Sequence, residues 1–314
     1  MKKIIFALLF SLVATNVFAC TALYMSKPKL HIFARTFDWT NGDGYFAIRQ
    51  KGIGGLARWI LRDQQPAYWK SKYSSAVFEY RMLQGKDVLT AGGMNSQGLV
   101  AAALYCGDME YEKPSDKPNV STLEFAQYIL DKYKSVKDFL EHFDDIRVAP
   151  YDNYMLHYII CDPTGNAAII EFVHHKMVIY TGKSLTLSVL GNNSYTESLE
   201  FVKNYKGFGG HKPMPRGFGP LSRFLYAAYY GRQYAKLTSR EQIIQSLFHA
   251  FDNKSVRQAN KTPWPTLWSA VYDLDHKIIY YQKRSDLKII KADLNKINLD
   301  EYHNSVYLGR LTEG

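Results

Sequence analysis

Three residues close to the start of the chain could perform nucleophilic chemistry together: Cys20, Arg35 and Asp38. Ahead of Cys20 lie Lys2 and Lys3, an apolar run from Ile4 to Val13, and a short stretch ending Val17-Phe18-Ala19. That layout is a secretory leader, too short for a membrane span. Val17 and Ala19 suit cleavage after Ala19, which would make Cys20 the first residue of the mature chain. An N-terminal cysteine carries a thiol of pKa about 8.5 and an α-amine of pKa about 7.7 to 8.0 within one residue. The amine can take the thiol proton near neutral pH, so nucleophile and base come preassembled. A nearby arginine favours the thiolate by charge attraction, and a carboxylate such as Asp38 can orient the amine.

A leader followed by Cys also begins a lipoprotein, in which the cysteine carries a diacylglyceryl anchor. Val17-Phe18-Ala19-Cys20 approximates that signal, although Phe18 is bulky for it and a strand pattern starts at once without a flexible polar tether. Nucleophile and lipid anchor are both open on these residues alone.

The elements that must position these groups follow from pattern. Residues 20–26 and 31–39 read as a hairpin around Pro28. Such a turn sets Cys20 opposite Phe37, with Arg35 on the same face by strand alternation. Asp38 is one residue out of that alternation, so it must sit at a strand end or after a kink. A second hairpin runs from Asp87 to Tyr105 with its turn at Asn95-Ser96-Gln97-Gly98. Ser121 with Glu124, and Ser135 with Asp138, have the spacing of helix starts, and Phe125, Ile129, Phe139 and Phe143 supply buried faces. A strand pair is expected over 155–180 with a turn at 162–165, another strand over 185–190, helices near 223–234 and 240–250, and a final hairpin over 268–282. His174 and His175 are expected side by side on a strand, where they point to opposite faces and cannot easily share a metal. Residues 206–220, rich in Gly and Pro, read as a surface loop. Strand pairs and helix pairs alternate in blocks, which argues for an α+β fold with antiparallel sheets.

Length and composition bound the rest. Removing residues 1–19 from 314 leaves 295, expected to form one domain over 20–314. No later stretch is long and apolar enough to span a bilayer, so no stable membrane insertion is expected. The net charge of +10 is spread without a dense Lys/Arg run, which argues against nucleic acid. Nothing else has metal, nucleotide or phosphate-loop spacing. Three cysteines is an odd count for an exported chain. Cys106 and Cys161 could pair in an oxidising compartment or remain ordinary buried thiols.

Five blocks occur in order: Cys20-Thr21; Arg35-Thr36-Phe37-Asp38-Trp39; Gly93 to Leu99 (GMNSQGL); Gly191-Asn192-Asn193-Ser194; and Ser222-Arg223-Phe224 with Ala227-Ala228. In this the chain resembles the choloylglycine hydrolase family, penicillin V acylases and conjugated bile acid hydrolases, which are N-terminal nucleophile enzymes. The resemblance implies a four-layer αββα sandwich of two antiparallel sheets between helix layers, and cofactor-free hydrolysis of linear amides. It casts Cys20 as nucleophile, Arg35 and Asp38 as its partners, Arg223 as completing the charged cluster, and Asn192 as the side-chain donor to the oxyanion. Asn193 is the alternative if the register is off by one. Tyr105 falls where a backbone N–H would be the second oxyanion donor, and Trp39 and Tyr105, if they flank the nucleophile, would give a flat aromatic substrate slot.

The stretch between Asn192 and Arg223 is shorter than in Gram-positive bile-acid enzymes, where it helps build a tetramer, and residue 105 is Tyr rather than Asn. With Trp39 after Asp38, these traits look more like the Gram-negative acylase branch. The expected protein is therefore a periplasmic or secreted penicillin V acylase-like amidase, N-acyl homoserine lactones being further candidate substrates. Its alternatives are a bile acid hydrolase and a non-catalytic lipoprotein. Its partner would be a small amide substrate, and a dimer or tetramer is left open.

Overall fold

The computed structural model describes residues 20–311 apart from 40–41, 62, 82–87, 144–145, 153, 218, 253–265, 284–285 and 302–303. The expected leader, residues 1–19, lies outside the described residues. In chain order the first strands are β1 (Thr21–Lys27), β2 (Leu30–Asp38), β3 (Gly42–Arg49), β4 (Gly54–Leu56), β5 (Tyr68–Lys70), β6 (Ser75–Arg81), β7 (Val88–Asn95), β8 (Val100–Tyr105) and β9 (Asn119–Ser121). Helices α1 (Phe125–Lys132) and α2 (Val136–His142) follow, then β10 (Arg147–Ala149), β11 (Leu156–Cys161), β12 (Ala167–Val173), β13 (Lys176–Thr181) and β14 (Val189–Leu190). The last elements are α3 (Tyr195–Val202), α4 (Pro220–Tyr234), α5 (Arg240–Asp252), β15 (Thr266–Asp273), β16 (Ile278–Lys283), β17 (Asp286–Asp293) and β18 (Val306–Leu311).

Two antiparallel sheets carry the fold, one in the order β14-β1-β2-β15-β16-β17 and the other β13-β12-β11-β8-β7-β6-β3-β18. Helix α1 covers β7 and β8 of the larger sheet, while α4 and α5 cover β1, β14 and β15 of the smaller. Between the sheets Trp268 of β15 stacks on Phe37 of β2 at 4.1 Å and on Phe78 of β6 at 5.7 Å. Helix, sheet, sheet and helix thus form the expected αββα sandwich. Strands covered on both sides lose the alternation of a half-exposed strand, and β8 (VAAALY) and β11 (LHYIIC) are buried almost throughout. The small side chains of Ala101, Ala102 and Ala103 let neighbouring elements close onto β8.

Several local expectations are corrected. Ser121 does not open α1: it ends β9, Glu124 is the cap residue, and Ser121 Oγ donates instead to the Glu124 carboxylate at 3.2 Å. Ser135 does cap α2, accepting from the Asp138 N–H. His174 and His175 are not strand residues but the two-residue turn between β12 and β13, with φ of 51° and 60°. Two successive positive φ values match the twist of flanking strands, which is why such a pair makes a tight hairpin. The strand expected over 185–190 shrinks to Val189–Leu190. The hairpin expected to end the fold is followed by β17 and β18, and α3 and β3 to β6 also went unread. Cys106 and Cys161 are buried free thiols.

Candidate active site

The β1–β2 turn fixes the surroundings of Cys20. Pro28 has the φ required at the first central position and Lys29 takes φ 62° at the second. The strands then pair Thr21 with Thr36 and Ala22 with Arg35, and the same register sets Cys20 beside Phe37. Cys20 is 2% exposed. Asp38 ends β2, and the β2–β15 register shifts between Thr266 and Trp268, supplying the irregularity its phase requires. Its backbone N–H meets Cys20 Sγ at 3.5 Å, and its carbonyl lies 3.7 Å from the same sulfur.

The Asp38 side chain is wholly buried. Its Oδ2 accepts from Arg223 Nη1 at 2.8 Å and lies 3.5 Å from the Thr36 hydroxyl. Its Oδ1 is buried with no hydrogen bond of ordinary geometry among the described residues, although the Thr266 side chain also helps to hold the carboxyl's pKa down. Burial raises the Asp38 carboxyl above its ordinary range, and Arg223 opposes that rise. Arg223 comes from the first turn of α4, whose start is set by Pro220 at the first helical position.

Arg35 reaches through to the other sheet. The β7–β8 ladder ends at the pair Gly92 and Ala102, and the Arg35 guanidinium takes the two carbonyls just beyond it, that of Ala91 through Nη1 and that of Ala103 through Nη2 at 3.1 Å. A Cβ on Gly92 would stand 2.8 Å from Arg35 Nη1 and 2.9 Å from the Ala101 carbonyl oxygen, so glycine there makes room for the arginine and for the neighbouring strand. Burial pushes the Cys20 thiol up to about 11 and the Asp38 charge adds to that, while Arg35 and Arg223 pull it back down.

Asn192 arrives by a short route. Strand β14 pairs Leu190 with Ala22 and Val189 with Leu23; continued two residues, that register runs Asn192 alongside Cys20. Asn192 Nδ2 donates to the Tyr105 carbonyl at 2.7 Å, which joins the end of β8 to the segment that follows β14. Asn193 turns away and donates to Glu197 Oε2 on α3 at 2.8 Å, so the two asparagines are separated by geometry.

Trp39 is 7% exposed. It meets Tyr105 edge-on, at 6.3 Å and 67°, and stacks on Tyr154 at 5.9 Å and 17°. The flat slot expected between Trp39 and Tyr105 is not formed, because the two rings meet edge-on while Phe37 and Tyr154 stack on Trp39. What results is a cluster of Trp39, Tyr80, Tyr105, Tyr151 and Tyr154. Tyr80 and Tyr154 gave no usable signal, since a lone aromatic on a strand or loop reads as core. Thr36 was missed too: its Oγ1 accepts from the Thr21 N–H at 3.1 Å beside Cys20. Among the described residues no three His, Cys, Asp or Glu side chains converge as metal ligands, and no helix is long and apolar enough to cross a membrane.

A sequence model of linear amide C–N hydrolases, choloylglycine hydrolase family, matches residues 20–307. This chain belongs to the choloylglycine hydrolase family. As a member of it, the protein is a linear amide C–N hydrolase. Relatives include a penicillin V acylase of Pectobacterium atrosepticum, 25% identical over 89% of this chain and 82% of its own. A bile salt hydrolase/transferase of Clostridium perfringens is 24% identical over 90% and 94%. Among solved structures, penicillin V acylase from Agrobacterium tumefaciens superposes with a TM-score of 0.76 at 24% identity, covering 90% of this chain and 88% of its own. A mutant of the conjugated bile acid hydrolase from Clostridium perfringens does so with a TM-score of 0.71 at 20% identity, covering 92% and 96%. The αββα sandwich of this choloylglycine hydrolase family member is the N-terminal nucleophile hydrolase fold.

Proposed function

We propose that this amidase is exported, is cut before Cys20, and uses that cysteine to cleave amides of slender or aromatic acids in the manner of a penicillin V acylase. The observation that carries the nucleophile assignment is the Asp38 carboxylate. One oxygen is neutralised by Arg223, and the other is buried and unpartnered among the described residues, while the same residue's N–H touches Cys20 Sγ. A buried acceptor of that kind suits a cationic donor such as the α-ammonium of Cys20. A lipid anchor fits less well, since Cys20 is 2% exposed and runs directly into buried β1.

In this reading the α-amine takes the Cys20 proton and the thiolate attacks the amide carbon, moving an electron pair onto the carbonyl oxygen. Asn192 Nδ2 has two N–H bonds; one serves Tyr105, and the second faces the oxyanion together with the Tyr105 backbone N–H. Collapse of the intermediate breaks the C–N bond, and the α-ammonium protonates the departing amine. Water, deprotonated by the regenerated amine, then hydrolyses the thioester and returns the thiol.

Half-buried Tyr105 and Tyr154 with Trp39 offer aromatic surface on the acyl side, each ring contact worth about 0.5 to 1.5 kcal/mol beyond burial. A phenyl ring or thin acyl chain uses such edges better than a rigid steroid. On one preparation of mature protein, kcat/KM should be higher for penicillin V, or for a long-chain N-acyl homoserine lactone, than for glycocholate. A tenfold lead for glycocholate would overturn this reading in favour of a bile acid hydrolase.

A further inference from the structure

Behind Asn192 lies a fully buried ion-pairing unit that the reaction as described does not use. His157 of β11 and Glu171 of β12 are each 0% exposed, and His157 Nδ1 meets Glu171 Oε1 at 2.9 Å. They stand one residue beyond the Tyr158–Ile170 pair on their two strands, so they face each other across the ladder. His157 Nε2 then reaches the other sheet, where it lies 2.9 Å from the carbonyl oxygen of Gly191, the residue immediately before Asn192. A carbonyl only accepts, so Nε2 carries the hydrogen. The same Glu171 Oε1 accepts the backbone N–H of Tyr195 at 2.8 Å, at the start of α3.

Glu171 therefore grips the segment 191–195 at both ends, through His157 at Gly191 and directly at Tyr195. The segment needs such a grip. Strand β14 that delivers it is two residues long, and Asn192 itself is held among the described residues by one side-chain bond, to the Tyr105 carbonyl. An apolar pair would fill the same volume at lower desolvation cost, since burying charged or strongly polar groups is expensive. What a histidine and a glutamate add is direction: a donor aimed at one carbonyl and an acceptor aimed at one N–H.

We propose that His157 and Glu171 are positioning residues that fix the Asn192 amide at the oxyanion site. The proposal rests on the assignment of Asn192 as an oxyanion donor. It makes Asn192 the end of a relay running from Glu171 through His157 and the Gly191 carbonyl, built from the sheet opposite the nucleophile.

The test uses the two amide side chains that each mimic one imidazole nitrogen. In His157→Gln the amide N–H falls near Nε2 and can still donate to Gly191, whereas in His157→Asn it falls near Nδ1 and cannot. On the mature enzyme, with its fastest acyl amide as substrate, His157→Asn should lose about 10-fold or more in kcat with KM little changed, because misplacement on the order of 1 Å at a reacting centre is that costly. His157→Gln should stay within about threefold of wild type, and iodoacetamide should alkylate Cys20 at the wild-type rate in both. In an Asn192→Ala background, His157→Asn should cost nothing further. Equal kcat losses in the Gln and Asn variants, losses that multiply with Asn192→Ala, or slowed Cys20 alkylation would reduce the pair to core packing. If His157→Asn does not fold, Glu171→Ala against Glu171→Gln repeats the split at the other end, since Gln keeps an acceptor and Ala does not; equal losses there overturn the proposal. Full kcat in Asn192→Ala alone would instead overturn the oxyanion assignment, whatever His157 does.

Discussion

Arg223 and Asp38, from helix α4 and the end of β2, form an almost wholly buried ion pair at 2.8 Å, with side chains 8% and 1% exposed. Replacing Arg223 by Ala would leave the Asp38 charge uncompensated, at a cost of about 3 to 5 kcal/mol. The Asp38 carboxyl is already raised by burial, and losing Arg223 raises it further. A carboxyl raised in the folded state stabilises when protonated, and that contribution is lost as pH climbs through its folded pKa. Urea unfolding should therefore show a larger deficit for Arg223→Ala at pH 8 than at pH 5, both values being above the ordinary carboxylate range near 3.9. An identical deficit at both pH values would mean that Asp38 is not the group left stranded.

Processing should change the thiol as well as the terminus. In the uncut chain burial pushes Cys20 up to about 11, so it is protonated at neutral pH. A cationic α-ammonium in the same residue favours the thiolate and lowers that value. N-terminal sequencing of exported protein should begin at Cys20, and its iodoacetamide alkylation should titrate well below 11. A variant retaining one residue ahead of Cys20 should alkylate only in strong alkali and turn over no substrate. Full activity in that extended form would show the free amine to be dispensable.

The two asparagines at 192 and 193 should separate cleanly. Asn192→Ala should lose roughly 100-fold or more in kcat, the usual scale for an oxyanion donor. Asn193→Ala removes a contact to Glu197 at the start of α3 and should cost only modest stability, read as a small fall in thermal midpoint. The reverse pattern in kcat would move the donor by one residue.

Denatured, unreduced protein should titrate with three free thiols, because Cys20, Cys106 and Cys161 are all unpaired. One free thiol would indicate that Cys106 and Cys161 pair during export.

Much of the immediate surroundings of Cys20 was legible because it is local. Pro28 centres the turn, and the register that sets Cys20 beside Phe37 follows by counting. Asp38 was correctly required to sit at a strand end. Arg223 and Asn192 were a different matter: no periodicity links either to Cys20, and both rested on the likeness of short blocks to a known family. Strand β14, which carries Asn192 towards Cys20, is too short to show any alternation. His157 and Glu171 were invisible for a related reason, since a polar residue within an apolar strand does not announce which distant carbonyl it serves. Helix α3 could have been found, because Ser194 accepts from the Glu197 N–H in the pattern of a helix start.

The lodging of Arg35 where the β7–β8 ladder stops also limits which substitutions the two sheets tolerate. A side chain at residue 92 is barred by the guanidinium and equally by the Ala101 carbonyl, 2.9 Å from where its Cβ would stand, and shortening residue 35 strands the carbonyls of Ala91 and Ala103 that it serves. Residue 92 therefore stays glycine whichever side chain stands at 35. Arg35 and Gly92, on opposite sheets, are thus fixed for separate reasons, one by the carbonyls it serves and the other by the strand packed against it.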